Sequence, residues 1–264
     1  MKIIISDAQK ANKFSTIIQH LKNFTDNILF YFKPEGLYIQ CMDGNHCCLF
    51  ESTISKTWFN EYLFSAETDQ ASIGITLALF HKVLNVRHDS QTLELELSDD
   101  YKNHILIHFV NSKDHKFDKH FQLALVQIDY ELMEPTPIDT IVDLTMESKT
   151  LSELVNQLII FNDVVSFNFK EEIIYMVSTG LEGSMKVDIK MDDVQAYAIA
   201  EDMTLTQCYS LKYVQLMCQF NKLSNDISMG FCTDMPMTMK YDLGEESFVL
   251  FHLAPKIIDD FGDY

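Results

Sequence analysis

A chain of 264 residues, 47% of them hydrophobic, can bury a large core and suits two domains of ordinary size. Eight glycines and five prolines are too few for a disordered or low-complexity chain, and no apolar run approaches the roughly 20 residues of a membrane-spanning helix. A net charge of −19 argues against a protein that simply coats nucleic acid, and six cysteines without a CxxC pair point to a reducing compartment rather than a disulfide framework.

Residues 2–6 read as an opening strand, too short for a signal-peptide core. Asp7 or Ser6 can cap a helix running to 22 or 24, with Phe14, Ile17, Ile18 and Leu21 on one stripe. Strands 28–32 and 37–41 flank the turn Lys33-Pro34-Glu35-Gly36, and strands 46–54, 62–65 and 72–75 follow. A second helix spans 76–86, with Leu79, Val83 and Val86 along one side. Leu93-Glu94-Leu95-Glu96-Leu97 alternates strictly and predicts a half-buried strand; 104–110 and 121–126 complete a meander. The stretch 126–137 has two prolines, several acidic residues and no period, and reads as a linker between a domain over 1–125 and another over 138–264. Beyond it come strand 141–145, a helix at 150–161, and strands 164–169, 173–178, 185–189 and 196–200. A fourth helix at 209–220 matches the second, with Thr76 and Lys82 set against Thr206 and Lys212. Strands 226–232, 237–242 and 247–253 close the domain, and the acidic tail 257–264 is expected to be loose. Helices arriving singly between runs of antiparallel strand place the chain in the α+β class.

The chain writes one stretch twice. FSTIIQHLKNFTDNILFYFKPEGLYI, from Phe14, lies over LSELVNQLIIFNDVVSFNFKEEIIYM, from Leu151, at a constant offset of 137 without a gap. Nine of 26 paired positions are identical, including Phe24/Phe161, Phe30/Phe167, Lys33/Lys170 and Tyr38/Tyr175. Chance would give roughly two at ordinary composition. Each copy runs helix, strand, tight turn, strand, so the chain is two versions of one supersecondary plan.

The motif GLYIQCMDGNH, residues 36–46, and the ending LAPKI, residues 253–257, resemble the signatures of the proliferating cell nuclear antigen family, the eukaryotic and viral sliding clamps. The repeat and the proline-bearing linker sit where that family has them, and the resemblance covers the whole chain as a divergent member of cellular or viral type. It implies two topologically similar clamp domains, antiparallel sheets outside and four helices on the inner face, and a head-to-tail ring trimer around duplex DNA. It also implies no catalysis, no cofactor, and a processivity role in which polymerase, clamp loader and repair proteins bearing a short clamp-binding motif are held on DNA. The compartment implied is the nucleus, or a cytoplasmic replication site for a virus.

Clients of this family insert an aromatic pair and an aliphatic anchor beside the linker. The matching positions are Met42, His46, Cys47, Leu49, Met133, Pro135, Pro236, His252, Ala254 and Pro255, where His252 departs from a usual aromatic. Read from composition alone, Met42, Met133 and Pro236 are equally ordinary core or turn residues. DNA should meet lysines on the helices: Lys10, Lys13, Lys22, Lys82, Lys149, Lys212 and Lys222 are the candidates, each of which could also be a solvated helix residue. Glu153, Asn156 and Gln219 stand where the family usually has basic residues, so the lining is thin and Lys10 and Lys13 are expected to compensate. Subunit contacts are implied between the strand holding Phe121 and Leu123 and the strand holding Met185 and Val187 of the next copy. Phe80, Val83 and Leu84 would then face Leu151 and Leu154, unless these belong to their own domain cores.

Other clusters carry less. Cys41, His46, Cys47 and Cys48 fit no common zinc spacing. His115 and His120 flank Lys116 and Lys119 in a charged hairpin, and Asp99-Asp100 and Asp192-Asp193 fall at turns without a partner His. P-loop, GxSxG and GxGxxG motifs are missing from the sequence. The family's modified lysine falls on Glu171, beside Lys170. An accessory, checkpoint-like clamp subunit with weak DNA contact is the alternative reading; a nucleotide-metabolising enzyme has no residue in its favour.

Overall fold

The offset of 137 survives as backbone register. In the computed structural model, which describes residues 1–65, 70–101, 103–111 and 117–257, the first hairpin joins β2 (Asn27–Lys33) to β3 (Gly36–Met42) with Leu29 opposite Gln40 and Lys33 opposite Gly36. Its counterpart joins β11 (Val164–Lys170) to β12 (Ile173–Gly180) with Ser166 opposite Val177 and Lys170 opposite Ile173, the same pairs moved by 137. The turns share a device as well. Tyr62 donates its hydroxyl to the carbonyls of Lys33 and Gly36 at 2.8 Å, and Tyr197 donates to that of Lys170 at 2.6 Å.

The remaining elements repeat in order. The first series is β1 (Lys2–Ile5), α1 (Ala8–Leu21), β2, β3, β4 (Cys48–Ser55), β5 (Glu61–Leu63), β6 (Ala71–Thr76), α2 (Leu77–Leu84), β7 (Thr92–Glu96), β8 (His104–Val110) and β9 (Lys119–Ala124). The second is β10 (Val142–Glu147), α3 (Ser148–Leu158), β11, β12, β13 (Gly183–Ile189), β14 (Ala196–Ile199), β15 (Leu205–Ser210), α4 (Leu211–Cys218), β16 (Asp226–Phe231), β17 (Met237–Gly244) and β18 (Ser247–Leu253). The strand runs β6-β2-β3-β4 and β5-β1-β7-β8-β9 recur as β15-β11-β12-β13 and β14-β10-β16-β17-β18. The chain forms two units. One comprises Met1–His46, Phe50–Met133 and Asp242–Val249; the other comprises Cys47–Leu49, Glu134–Tyr241 and the chain from Leu250.

Each unit buries its own aromatic centre. In the first, Phe14, Phe30 and Phe80 meet edge to face with centroids 6.0–6.4 Å apart. In the second, Phe167, Phe169, Tyr209 and Phe231 pack together, Phe169 and Phe231 at 4.6 Å. Helix α1 starts where Asp7 accepts the Lys10 amide at 2.9 Å, as its sequence predicts, and buries Ala11, Phe14, Ile17, Ile18 and Leu21.

Three expectations change. Residues 205–210 form a strand that periodicity did not reveal, because Gln207 occupies an inward position. It is satisfied there by the Cys232 carbonyl and the Tyr209 hydroxyl. Tyr209 therefore ends a strand rather than opening a helix. Leu77 and Leu211 begin α2 and α4 with amides bound to Asp26 and Asp163, again 137 apart, so Lys82 sits sixth in its helix and Lys212 second. The matching of Lys82 with Lys212 is off by four residues, one helical turn, which keeps both on equivalent faces. Finally, 126–133 is no free linker: it is laid on the first unit, as described next. The expected loose tail, His115 and Lys116 lie outside the described residues, apart from Ile257. None of the six cysteines is in a disulfide; burial pushes Cys41 up to about 12, and no group of three His, Cys, Asp or Glu among the described residues could hold a metal.

Candidate functional site

The first unit pairs α1 with α2 and leaves a polar surface outward. On α1 the exposed residues Gln9, Asn12 and Gln19 are neutral, with Lys13 half-buried beside them and Lys22 exposed at the C-cap. Lys82 is exposed on α2. Lys22 is close enough to His81 to hold its imidazole below the usual range, adding to the larger effect of burial. Lys13, Lys22 and Lys82 have no ion partner among the described residues. Lys10 does, and its expected place on a DNA face is corrected here. Its ammonium is 2.8 Å from both Glu245 Oε1 and the Trp58 carbonyl and lies 5.5 Å over the Trp58 ring, so its charge is already answered.

The second unit pairs α3 with α4. Lys212 and Lys222 are exposed and unpaired among the described residues, while Lys149 faces Glu153 at 3.9 Å. Asn156 and Gln215 bridge the helices by an amide hydrogen bond of 2.8 Å. The chain's one arginine, Arg87, is structural: its side chain is 3% exposed and grips the carbonyls of His88, Asp89 and Gln91. The exposed cations of these faces are therefore all lysines, point charges suited to phosphate rather than planar forks suited to base edges.

The expected docking residues divide between units. In the first unit Met42 ends β3 half-exposed. Asp43 then fixes the turn by accepting the amides of Asn45 at 2.9 Å and His46 at 3.0 Å, and His46 is held exposed with φ +56°. Gln40 clasps the linker: its Oε1 accepts the Met133 amide at 2.8 Å and its Nε2 donates to the Met133 carbonyl at 2.9 Å. At the other end Val126 donates to the Gly74 carbonyl at 2.9 Å, and a Cβ on Gly74 would stand 2.0 Å from the Val126 carbonyl oxygen. In the second unit Ala254 donates to the Cys47 carbonyl at 2.9 Å. There Cys47, Pro236, His252 and Pro255 are half-buried, Pro135 and Ala254 exposed, and Leu49 buried. The sequence motif contained Gln40, yet the reading gave it no role; a glutamine in a strand of apolar residues was the available signal.

The interface expectations separate by burial. Phe80 and Leu151 are fully buried in their own cores, and Val83, Leu84 and Leu123 nearly so. Phe121, Leu154, Met185 and Val187 retain exposure. Leu154 and Val187 line one open cavity between α3 and β13, and β9 and β13 are edge strands. The stripe expected on the second helix is corrected: Leu79 and Val86 are exposed, Val86 beyond the helix end, and Leu77, Phe80, Val83 and Leu84 are the buried residues. Sequence reasoning assigned no role to the exposed Phe117 in the first unit or to Ile160, Phe161 and Leu181 in the second.

Residues 6–132 match the family description "Proliferating cell nuclear antigen, N-terminal domain", and 134–257 the corresponding C-terminal domain. Proliferating cell nuclear antigen of Chaetomium thermophilum is 23% identical over 259 residues, covering 96% of this chain and 97% of that one. That of Dictyostelium discoideum is 24% identical, covering 94% and 97%. DNA polymerase sliding clamp 1 of Thermococcus kodakarensis is 22% identical, covering 94% and 96%. A solved PCNA2–PCNA3 complex from Sulfolobus tokodaii shares the fold at TM-score 0.84 and 20% identity, covering 97% of this chain and 99% of the other. With both halves matched and the same two-domain plan in the coordinates, the chain belongs to the proliferating cell nuclear antigen family.

Proposed function

We propose that this chain is a DNA sliding clamp, three copies of which close head to tail around duplex DNA and tether a polymerase to its template. Family membership across both halves carries this reading. A tether of this kind acts through effective concentration: a polymerase that lets go is held beside its primer and rebinds before it diffuses away. The protein works as a scaffold, not a catalyst, and its place is the nucleus.

DNA contact falls to Lys13, Lys22 and Lys82 of the first unit and Lys149, Lys212 and Lys222 of the second. Lysines on phosphate bind without reading sequence, which sliding requires. The net charge of −19 then resides elsewhere on the surface and keeps the exterior from competing for DNA. Ring closure joins β9 to β13 of the next copy, and covering those edges also hides Phe121, Met185 and Val187. Clients with a short aromatic motif, and a loader, dock on the linker face of the first unit at Met42, His46 and Met133. The boundary between the repeated halves falls in the proline-bearing stretch 126–137, of which 126–133 stays with the first unit.

The Asn156–Gln215 pair and Glu153 favour one other reading, an accessory clamp subunit that works in a mixed ring with little DNA contact. Polymerase extension on a primed circle separates the two. The clamp reading expects products lengthened when this protein alone is loaded and a solution mass of three chains. A persistent monomer without stimulation overturns it.

A further inference from the structure

Strand β3 turns Tyr38, Gln40 and Met42 to one face, and on that face Gln40 meets the linker at Met133. Gln40 is 1% exposed there, and its amide orientation is fixed by its partners. Since Oε1 accepts from the Met133 amide, Nε2 must donate, and its acceptors are the Met133 carbonyl and the Tyr38 hydroxyl, both at 2.9 Å. Tyr38 consequently donates its own proton to Glu51 at 2.5 Å. The result is a directed chain from a buried carboxylate to the backbone of one linker residue. From residue 127 to 132 the linker makes no backbone–backbone hydrogen bond among the described residues, so the Gln40 clasp and the Val126–Gly74 bond are its two backbone anchors.

We propose that Gln40 is a positioning residue for client binding: its carboxamide sets the linker at Met133 and thereby sets the strength with which a short aromatic peptide docks. This rests on the docking reading above. A client pressing on Met133 meets a segment already placed, so binding does not have to order it. Without the clasp, the Val126–Gly74 bond is the remaining backbone anchor of residues 127–133, and more of the ordering cost falls on the client.

The test uses the full-length protein and a synthetic peptide with two aromatics and one aliphatic anchor on a helical turn, titrated by calorimetry. Hydrogen exchange at the Met133 amide is followed in parallel. Gln40→Leu is expected to weaken peptide binding by about tenfold and to release the amide, both hydrogen bonds to Met133 being lost, with assembled mass and retention on circular DNA unchanged. Gln40→Glu distinguishes positioning from bulk packing. Its carboxylate can accept from the Met133 amide but cannot donate to the carbonyl, and a proton restores the donor. Binding should therefore be weak at pH 8 and recover towards pH 5, a profile wild type does not show. The groups facing this position are Tyr31, Tyr38, Cys41, Glu51 and Tyr130. The tyrosines and Cys41 are pushed up by burial and stay neutral, and adding Glu51→Gln removes the remaining carboxyl. Wild-type strength in Gln40→Leu, or no recovery in Gln40→Glu, overturns this inference alone. If wild type itself ignores the peptide, the docking reading fails and this inference falls with it.

Discussion

The α1–α2 face and the α3–α4 face have the same backbone and different chemistry. At the place where the helices meet, the first unit sets Lys22 near His81, while the repeat offsets put Ile159 and Gln215 at the matching positions, with Asn156 in the place of Gln19. In the first, burial and then the Lys22 charge hold a histidine below its usual range; the second is a neutral amide pair at 2.8 Å. Asn12, free of charge, corresponds to Lys149, whose neighbour Glu153 offsets it at 3.9 Å. Packing explains the contrast. The stripe that holds the aromatic core could not drift without a cavity, whereas exposed helix positions are constrained by no neighbour and diverged in charge.

The largest effects test the half of the comparison that is the same. Phe30→Ala and Phe167→Ala remove equivalent fully buried rings, and each should cost about 3–5 kcal/mol in chemical denaturation. A cost under about 1 kcal/mol at either site would mean that the two cores are not equivalents. Next come the charges. Replacing Lys22 and Lys82 by alanine should flatten the salt dependence of DNA binding by about one unit of slope per lysine that meets a phosphate. Lys10→Ala should leave that slope unchanged and instead lower stability, since its partners are Glu245 and Trp58. Smaller still, Asn156→Lys with Glu153→Gln would make the second face more positive and should tighten DNA binding several-fold at low salt, with little change at high salt. An unchanged affinity would place that face away from phosphate.

The smallest effect is in protons. Burial and Lys22 hold His81 below 6.5, so as pH falls through 6.5 the unfolded chain takes up the proton first and folding stability declines. A nearby phosphate works the other way and favours the imidazolium, so DNA binding should strengthen as pH falls below about 6.5. NMR titration of His81 checks both signs: Lys22→Ala should raise its pKa without fully restoring it, because burial is the larger cause.

The duplicated plan was legible because core residues carry period: Phe14, Ile17, Ile18 and Leu21 announce a helix, and Leu93 and Leu95 a strand. Strand β15 was illegible because Gln207 breaks the alternation, and only the Cys232 carbonyl and Tyr209 hydroxyl make that tolerable. Lys10 and Lys22 look alike in sequence. One is tied down by Glu245, 235 residues away, a relation no local pattern contains. Phe80 and Leu151 likewise read as apolar helix residues free to face either way, until their burial decides the matter. Gln40 shows the converse: a motif residue visible from the start, whose purpose emerged only when Met133 was found beside it.

Retention on closed circular duplex, compared before and after a single restriction cut, tests the central claim most directly. A ring held by topology stays on the circle through a high-salt wash and runs off once the DNA is linear. Loss from the circle at the same salt as from linear DNA would contradict the claim and leave an ordinary electrostatic binder in its place.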